Sequence, residues 1–583
     1  MGAFWKLVDG LESHPSQFVQ LGRHFFGRFF DNELVSRNAE AQVTVTQILA
    51  LLAAPGLLGP LLLFPRYARL AFQPASIRDM AILFDKCLFL SFGMVIMGFI
   101  TVFEWDALFP DPKDYVVLTP LPIKIRTIFA AKVSALCLFL VCFGALVNAL
   151  TPVLYPAIVL EADPQRHSTL YALSFTLAHA TAAYGGCAFI FCFFVALHGL
   201  LSNLLSARKF KQVTPYVQLV SMAGLLSVLL LFPRIVSALR PLERQNDLAL
   251  YAFPPMWFLG LYETILGRTE PVFRSLAGIA LAALGAVLAA AVAAYAIGYR
   301  RHARRSLETT NSHAAGPALI ERALTALADR FLVRNPLERA TFYFVGKTLL
   351  RSRKHKLYLA GYAGVGFALV IDTLVAVFSR RGYAGVYHPS AALLSMPLVL
   401  SFFILLGMRI VFAIPAEPRA NWVFQLTECE CRKECLAGAR KAMIALGMVP
   451  LLAALFPLYG VFWGWRVASL QLLFDATLSL ILMELLLLNF RKIPFTCTYV
   501  PGKAHINTRW IFYWMAFSTF AYGMASLEYA IFESAAGQVI FFGVAFSVLG
   551  GLIAYRNYLL DRGFTLVFEE EPEPVVQTLN LSA

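Results

Sequence analysis

Stretches of apolar residues long enough to cross a bilayer recur along this chain with little but short connections between them. That recurrence constrains the fold more than any other feature. At 1.5 Å per residue, a helix needs about 20 predominantly apolar residues to traverse the hydrocarbon layer. Such stretches lie at about 43–64, 80–103, 133–155, 171–203, 214–238, 275–298, 358–379, 393–414, 442–463, 469–490, 510–532 and 538–555. Inside lipid each backbone amide has to find its partner within its own segment, so runs of this length read as helices. The expected class is an all-α polytopic membrane protein of about 12 transmembrane helices. Composition agrees: 59% of the residues are hydrophobic, 14% are charged, and Phe alone occurs 50 times. The opening MGAFWKLVDGLESHPSQ lacks the apolar stretch and small-residue site of a cleaved signal peptide. Lys6 also stands where a myristoylation site wants Ser or Thr, so neither is expected.

The net charge of +14 matters less than its placement. Lys and Arg collect around 208–211 and through 299–357, segments that fall on one side when the spans are threaded in order. The positive-inside rule makes that side cytoplasmic and puts both termini there. The expected location is the cell (inner) membrane, multi-pass, with lipid as surroundings. A nucleic-acid partner is not needed to explain the basic character. The nine Cys are scattered and form no disulfide framework.

The chain divides into six spans, a linker and six spans: 1–298, a basic cytoplasmic linker at 299–335, 336–556, and a tail at 557–583 expected to be disordered. The halves look like a degenerate repeat. An amphipathic segment precedes the first span of each. In 15–36, Phe18, Leu21, Phe25, Phe26, Phe29 and Phe30 recur at helical spacing among Arg23, His24 and Arg28. It reads equally as a helix lying in the membrane interface or as a surface helix under a bundle. NPLERATFYFVGKTLLRSRKHK takes the same place in the second half. Between the second and third spans, DYVVL (114–118) corresponds to NWVFQ (421–425). Each follows a Pro-rich acidic turn, and each leads to a basic segment (Lys132; Arg440 and Lys441).

The first of these loops, EWDALFPDPKDYVVLTPLPIKIRTIFAAK at 104–132, is too polar to span. An acidic turn (Pro110, Asp111, Pro112, Asp114), a short apolar run and a basic start (Lys124, Arg126, Lys132) suit a short helix across the membrane surface. In these residues the chain resembles the permease subunits of ATP-binding cassette exporters of the type-2 class. The resemblance implies two fused six-span domains and coupling helices in 104–132 and 415–441. It also implies a separate ATPase dimer docking there, around Asp114, Tyr115, Lys124, Arg126, Asn421 and Trp422. Typical members carry six spans per chain, so one fused chain either works alone or pairs with another. In that family re-entrant helices lie between spans five and six; here YAFPPMWFLGLYETILG (251–267) fills the place. Simple interfacial anchoring by Trp257 and Tyr262 is the other reading.

No enzyme signature emerges. Gly346-Lys347-Thr348 resembles the end of a phosphate-binding loop, but Thr341 stands where that loop needs Gly, and the context is helical. ATP would therefore be bound by a partner subunit, and this chain needs no cofactor of its own. Cys429, Cys431, Cys435 and Cys497 gather on the cytoplasmic side, yet C-x-C-x3-C is no standard zinc spacing, and reduced surface thiols are the simpler reading. Charges inside spans are informative because they are costly. Asp85 and Lys86 sit about one turn into span two, either paired or reaching outward. Asp372 and Asp475 lie near outer span ends, and Glu484 is deep in span ten. Glu484 reads as a substrate or proton group, or as a satisfied structural one. Such acids support an alternative, a twelve-span secondary transporter driven by an ion gradient, although 104–132 lacks the G-x-x-x-D-R-x-G-R loop of the major-facilitator class. A membrane scaffold is a third possibility.

Overall fold

A computed structural model describes residues 17–27, 40–109, 123–161, 168–237, 251–308, 328–333, 335–416, 432–488 and 513–561. A few single positions and 493–496 are described as well. Among the described residues the chain is helix joined by turns, without strands. The helices are Gln17–Gly27 (α1), Glu40–Leu70 (α2), Ala75–Phe103 (α3), Ile125–Val147 (α4), Thr151–Glu161 (α5), Thr169–Leu204 (α6), Ala207–Ser237 (α7), Pro254–Ile265 (α8) and Pro271–Glu308 (α9). They continue with Pro336–Arg351 (α10), Arg353–Arg381 (α11), Ala391–Val411 (α12), Arg432–Met443 (α13), Val449–Trp463 (α14), Trp465–Leu487 (α15), Met524–Ile531 (α16) and Ala535–Asp561 (α17). Ten helical stretches among the described residues are long and apolar enough to cross a membrane. They coincide with ten of the twelve expected spans, while α2 and the helical residues 513–531 occupy the places of spans one and eleven. The protein is an all-α polytopic membrane protein.

The helices gather into two compact units, residues 1–214 with 228–313, and residues 215–227 with 314–583. In the first unit α6 packs against α3 and α9, and the buried faces carry Met94, Phe175, Phe189 and Ala280. The short helix α8 starts at Pro254-Pro255, where the missing amide and fixed φ of proline suit a first turn. It is buried among α3, α6 and α9. Tyr262 is fully buried, and the Trp257 indole N–H donates to the Tyr251 carbonyl at 2.8 Å. Met256, Phe258, Leu259 and Tyr262 all face the interior of the unit. α8 approaches α9 closely because position 260 is Gly: a Cβ there would sit 2.4 Å from the Leu276 Cβ and 2.9 Å from the Phe273 carbonyl. Gly260→Ala should push α8 off α9 at a cost of about 1–3 kcal/mol, the usual range for overpacking. Thermal denaturation in detergent checks this; an unchanged midpoint would show that the two helices part without penalty.

In the second unit α12 is the most deeply buried span, in contact with α11, α15 and α16. Its apolar side chains Leu394, Leu398, Phe402 and Leu405 recur at helical spacing and are all buried. α10 begins with Asn335, whose side chain accepts from the Leu337 amide at 3.0 Å, followed by Pro336. Tyr343 donates to Asp329 at 2.7 Å and Arg339 pairs with Asp329 at 2.8 Å, which fixes the turn before α10.

The units share a packing pattern, each described within itself. The amphipathic helix before the first span packs on the start of the third: α1 on α4 in one, α10 on α13 in the other. Second and fourth spans pair in both (α3 with α6, α12 with α15), as do fourth and sixth (α6 with α9, α15 with α17).

Candidate functional site

Of the residues expected to dock a partner, Asp114, Tyr115, Asn421 and Trp422 lie outside the described residues, as do Cys429, Cys431 and Cys497. Lys124 and Arg126 open α4 and are exposed. What the structure shows is how the bases of the two loops are held.

In the first unit the loop leaves α3 through Trp105, Leu108 and Phe109, all buried. Trp105 meets the His198 ring edge-on at 5.0 Å, and Phe109 stacks on His198 at 4.5 Å and lies 4.6 Å from Tyr295. The loop returns into α4, where Lys132 is 1% exposed. Its ammonium donates to the Ala107 carbonyl at 2.7 Å and sits over Phe25 and Phe29 at 5.1 and 5.3 Å. A buried ammonium needs such partners, and ring faces supply part of them. Lys132 thus ties together the loop base, the third span and the end of α1, where Phe25, Phe26 and Phe29 are buried and Phe18 is exposed.

In the second unit the last turn of α12 is closed by a segment after α15. The Phe495 amide donates to the Phe412 carbonyl, and the Ala416 amide to the Phe495 carbonyl, each at 2.9 Å. Phe495 takes a left-handed conformation, φ 66°, which costs a bulky residue energy and persists only when its surroundings hold it. His355, fully buried, completes the clamp with Nε2 2.9 Å from the Ile414 carbonyl and its ring edge-on to Phe495. On the return, Lys441 of α13 pairs with Glu338 of α10, and Lys433 with Asp561 of α17. α10 and α13 come together at Gly438, where a Cβ would lie 2.5 Å from the Glu338 carbonyl. Gly346-Lys347-Thr348 lies within α10, with the Lys347 ammonium 5.8 Å from the Tyr343 ring centre.

Comparison with protein-family models, with characterised proteins and with solved structures finds no match. The residues of the chain therefore carry the argument on their own.

The intramembrane charges separate into three groups. Asp85 and Lys86 do not pair with each other. Asp85, fully buried, accepts from Arg66 at 2.7 Å and from the Tyr67 hydroxyl at 2.9 Å. Lys86 turns the other way on α3 and meets Glu263 of α8 at 2.8 Å, with its ammonium over the Phe175 and Tyr262 rings. Arg268 adds a second pair to Glu263 at 3.1 Å. Lys86, Glu263 and Arg268 line a cleft of about 240 Å³, together with Asp79, Tyr171 and Phe175. It opens at the end of the unit opposite the first loop. Glu263 lies just outside the expected spans and escaped the sequence reading for that reason.

Glu484 is satisfied. One Arg556 nitrogen lies 2.6 and 2.7 Å from its two carboxylate oxygens, and Arg440 of α13 adds an ion pair at 3.6 Å. These ion pairs join the basic return of the second loop to spans ten and twelve. Arg409 donates to the Leu486 carbonyl at 3.0 Å and stacks over Phe490.

Asp475 is the exception. It has a Gln and a second buried carboxylate, Glu528, close by, and no cation reaches it among the described residues. Glu528 lies in the eleventh expected span, an acid within an apolar stretch like Asp475 and Glu484.

Proposed function

We propose that this chain is the permease component of an ATP-driven exporter, its two units fused and its cytoplasmic loops docking a separate ATP-binding cassette ATPase. One observation carries the reading. In each unit a basic residue just past the loop binds the third span to the amphipathic helix before the first: Lys132 over Phe25 and Phe29, and Lys441 to Glu338. Force applied at 104–124 or 417–431 would then move a preassembled pair of helices rather than a lone loop, as a coupling element requires. The alternative, a transporter driven by an ion gradient, draws support from the buried acids. Asp85 and Glu484 are neutralised by Arg partners, which suits structural roles, and only Asp475 with Glu528 fits ion coupling.

The test is a pull-down of an ATP-binding cassette ATPase encoded beside this chain. Tyr115→Ala and Trp422→Ala each remove a central aromatic from a small interface and should cost about 2 kcal/mol or more of association. Both proteins should insert and elute as wild type does. Normal expression with undiminished ATPase recovery would show the aromatics to be headgroup anchors and would remove the docking assignment.

A further inference from the structure

Along one face of α15, Gln471, Asp475 and Ser479 follow at intervals of four residues, which stacks them turn above turn. All three are buried, with exposures of 0%, 1% and 0%, and Glu528 of α16, also 0% exposed, reaches Gln471. The Gln471 amide nitrogen lies 3.1 and 3.2 Å from the two Asp475 oxygens and 3.5 Å from Glu528 Oε2. Around this centre several buried oxygens have no partner: Gln471 Oε1, Glu528 Oε1, the Ser479 hydroxyl, and the Tyr459 hydroxyl of α14, which lies within electrostatic reach of both acids.

Other charged groups on the packed elements sit elsewhere. α12 carries only Arg409, bound at Leu486, and α17 has Arg556 and Asp561 at its far end, bound to Glu484 and Lys433. Tyr522, in the helical turn before α16, is within reach of Asp372 of α11 and is half-exposed. Two carboxylates held on one amide in a dry span repel each other and lose their hydration. The polar groups here are oxygens and one rotatable amide. Turning that amide exchanges its donor for Oε1 and leaves a set made of hard oxygen donors.

We infer that Gln471, Asp475, Glu528 and Ser479 form a binding site for one monovalent cation of the sodium class, and that the ion enters in exchange for one proton. The charge count selects the class. One proton shared by the two carboxyls leaves one negative charge, and trading that proton for a single monovalent ion leaves the charge of the centre unchanged, whereas a divalent ion would shift it by one. Mg²⁺ keeps an octahedral set rich in water, which this enclosed centre does not supply, and Ca²⁺ would bring a second charge that a one-proton exchange does not offset. With no ion bound, the pair holds the proton on one carboxyl; as the ion arrives, the Gln471 amide turns and a proton leaves to solvent. The site is independent of ATPase docking and is tested without any ATPase present.

The experiment uses the full chain purified in detergent. NaCl is added to protein in weakly buffered choline chloride of matched ionic strength, with a pH-indicating dye and a thermal-stability readout. Wild type should release up to one proton per chain and gain stability with NaCl but not with added choline chloride. The half-maximal NaCl concentration should rise about tenfold for each unit that the pH is lowered, since one proton competes with each ion. Asp475→Asn and Glu528→Gln should each abolish release. Should either fail to fold, the wild-type response alone decides. No sodium-dependent release or stabilisation in wild type overturns the proposal. So does a response to CaCl2 alone, or one that persists in the folded double variant.

Discussion

Glu484→Ala should lower the stability of the second unit by about 3–5 kcal/mol, the cost of leaving a buried charge without its counter-ion. The carboxylate holds Arg556 through both oxygens and draws in Arg440, whose side chain is 11% exposed. Removing it strands two guanidinium groups among Leu436, Leu487 and Leu559. The measurement is thermal denaturation in detergent, followed by loss of the monodisperse peak. Glu484→Leu combined with Arg556→Leu should recover part of the loss, because well-packed apolar side chains replace a buried ion pair at little cost. A midpoint for Glu484→Ala within a degree of wild type would mean that the arginines reach water, and would detach α13 from α15 energetically.

Glu263→Ala should have an effect of the same size in the first unit. Lys86 is 4% exposed and meets Glu263 at 2.8 Å, so the variant takes a close carboxylate away from an ammonium in an apolar span. The Phe175 and Tyr262 rings retain some attraction, which sets the expected loss nearer 3 than 5 kcal/mol. Pairing the change with Lys86→Met should restore most of the stability. If the single variant is as stable as wild type, the cleft admits enough water to hydrate Lys86, and the pair contributes nothing measurable.

The spans were legible because lipid imposes one rule on every residue that crosses it. Hydropathy alone placed α3, α6, α12 and α15 to within a turn or so. The partners of the buried charges were not legible. Arg66, Glu263 and Arg556 all sit at or beyond the ends of spans, where polar residues are ordinary and nothing marks one of them as a partner. Adjacent residues also part company on a helix: Asp85 and Lys86 point about 100° apart, so sequence neighbours became members of different clusters. Glu528 was within reach of the sequence, as was the four-residue spacing of Gln471, Asp475 and Ser479. The buried state of α8 was not, since a Pro-broken aromatic run reads the same whether it floats at the headgroups or is enclosed.

The two loop bases also differ in when they can be completed. In the first unit Lys132 reaches back 25 residues to Ala107, so this hydrogen bond can form soon after α4 begins, with the His198 and Tyr295 rings added later. In the second, Phe412 and Ala416 wait for Phe495, about 80 residues later, by which time α14 and α15 have also been made. At 5–20 residues per second that interval is roughly 4–16 s. During it the carbonyl of Phe412 and the amide of Ala416 have no Phe495 to bond, beside a loop that has already emerged. The second half of the protein therefore has a window during synthesis in which an insertion factor has something to hold and a quality-control protease something to cut, whereas in the first half the main-chain tie of the loop base forms early and only its aromatic packing comes later.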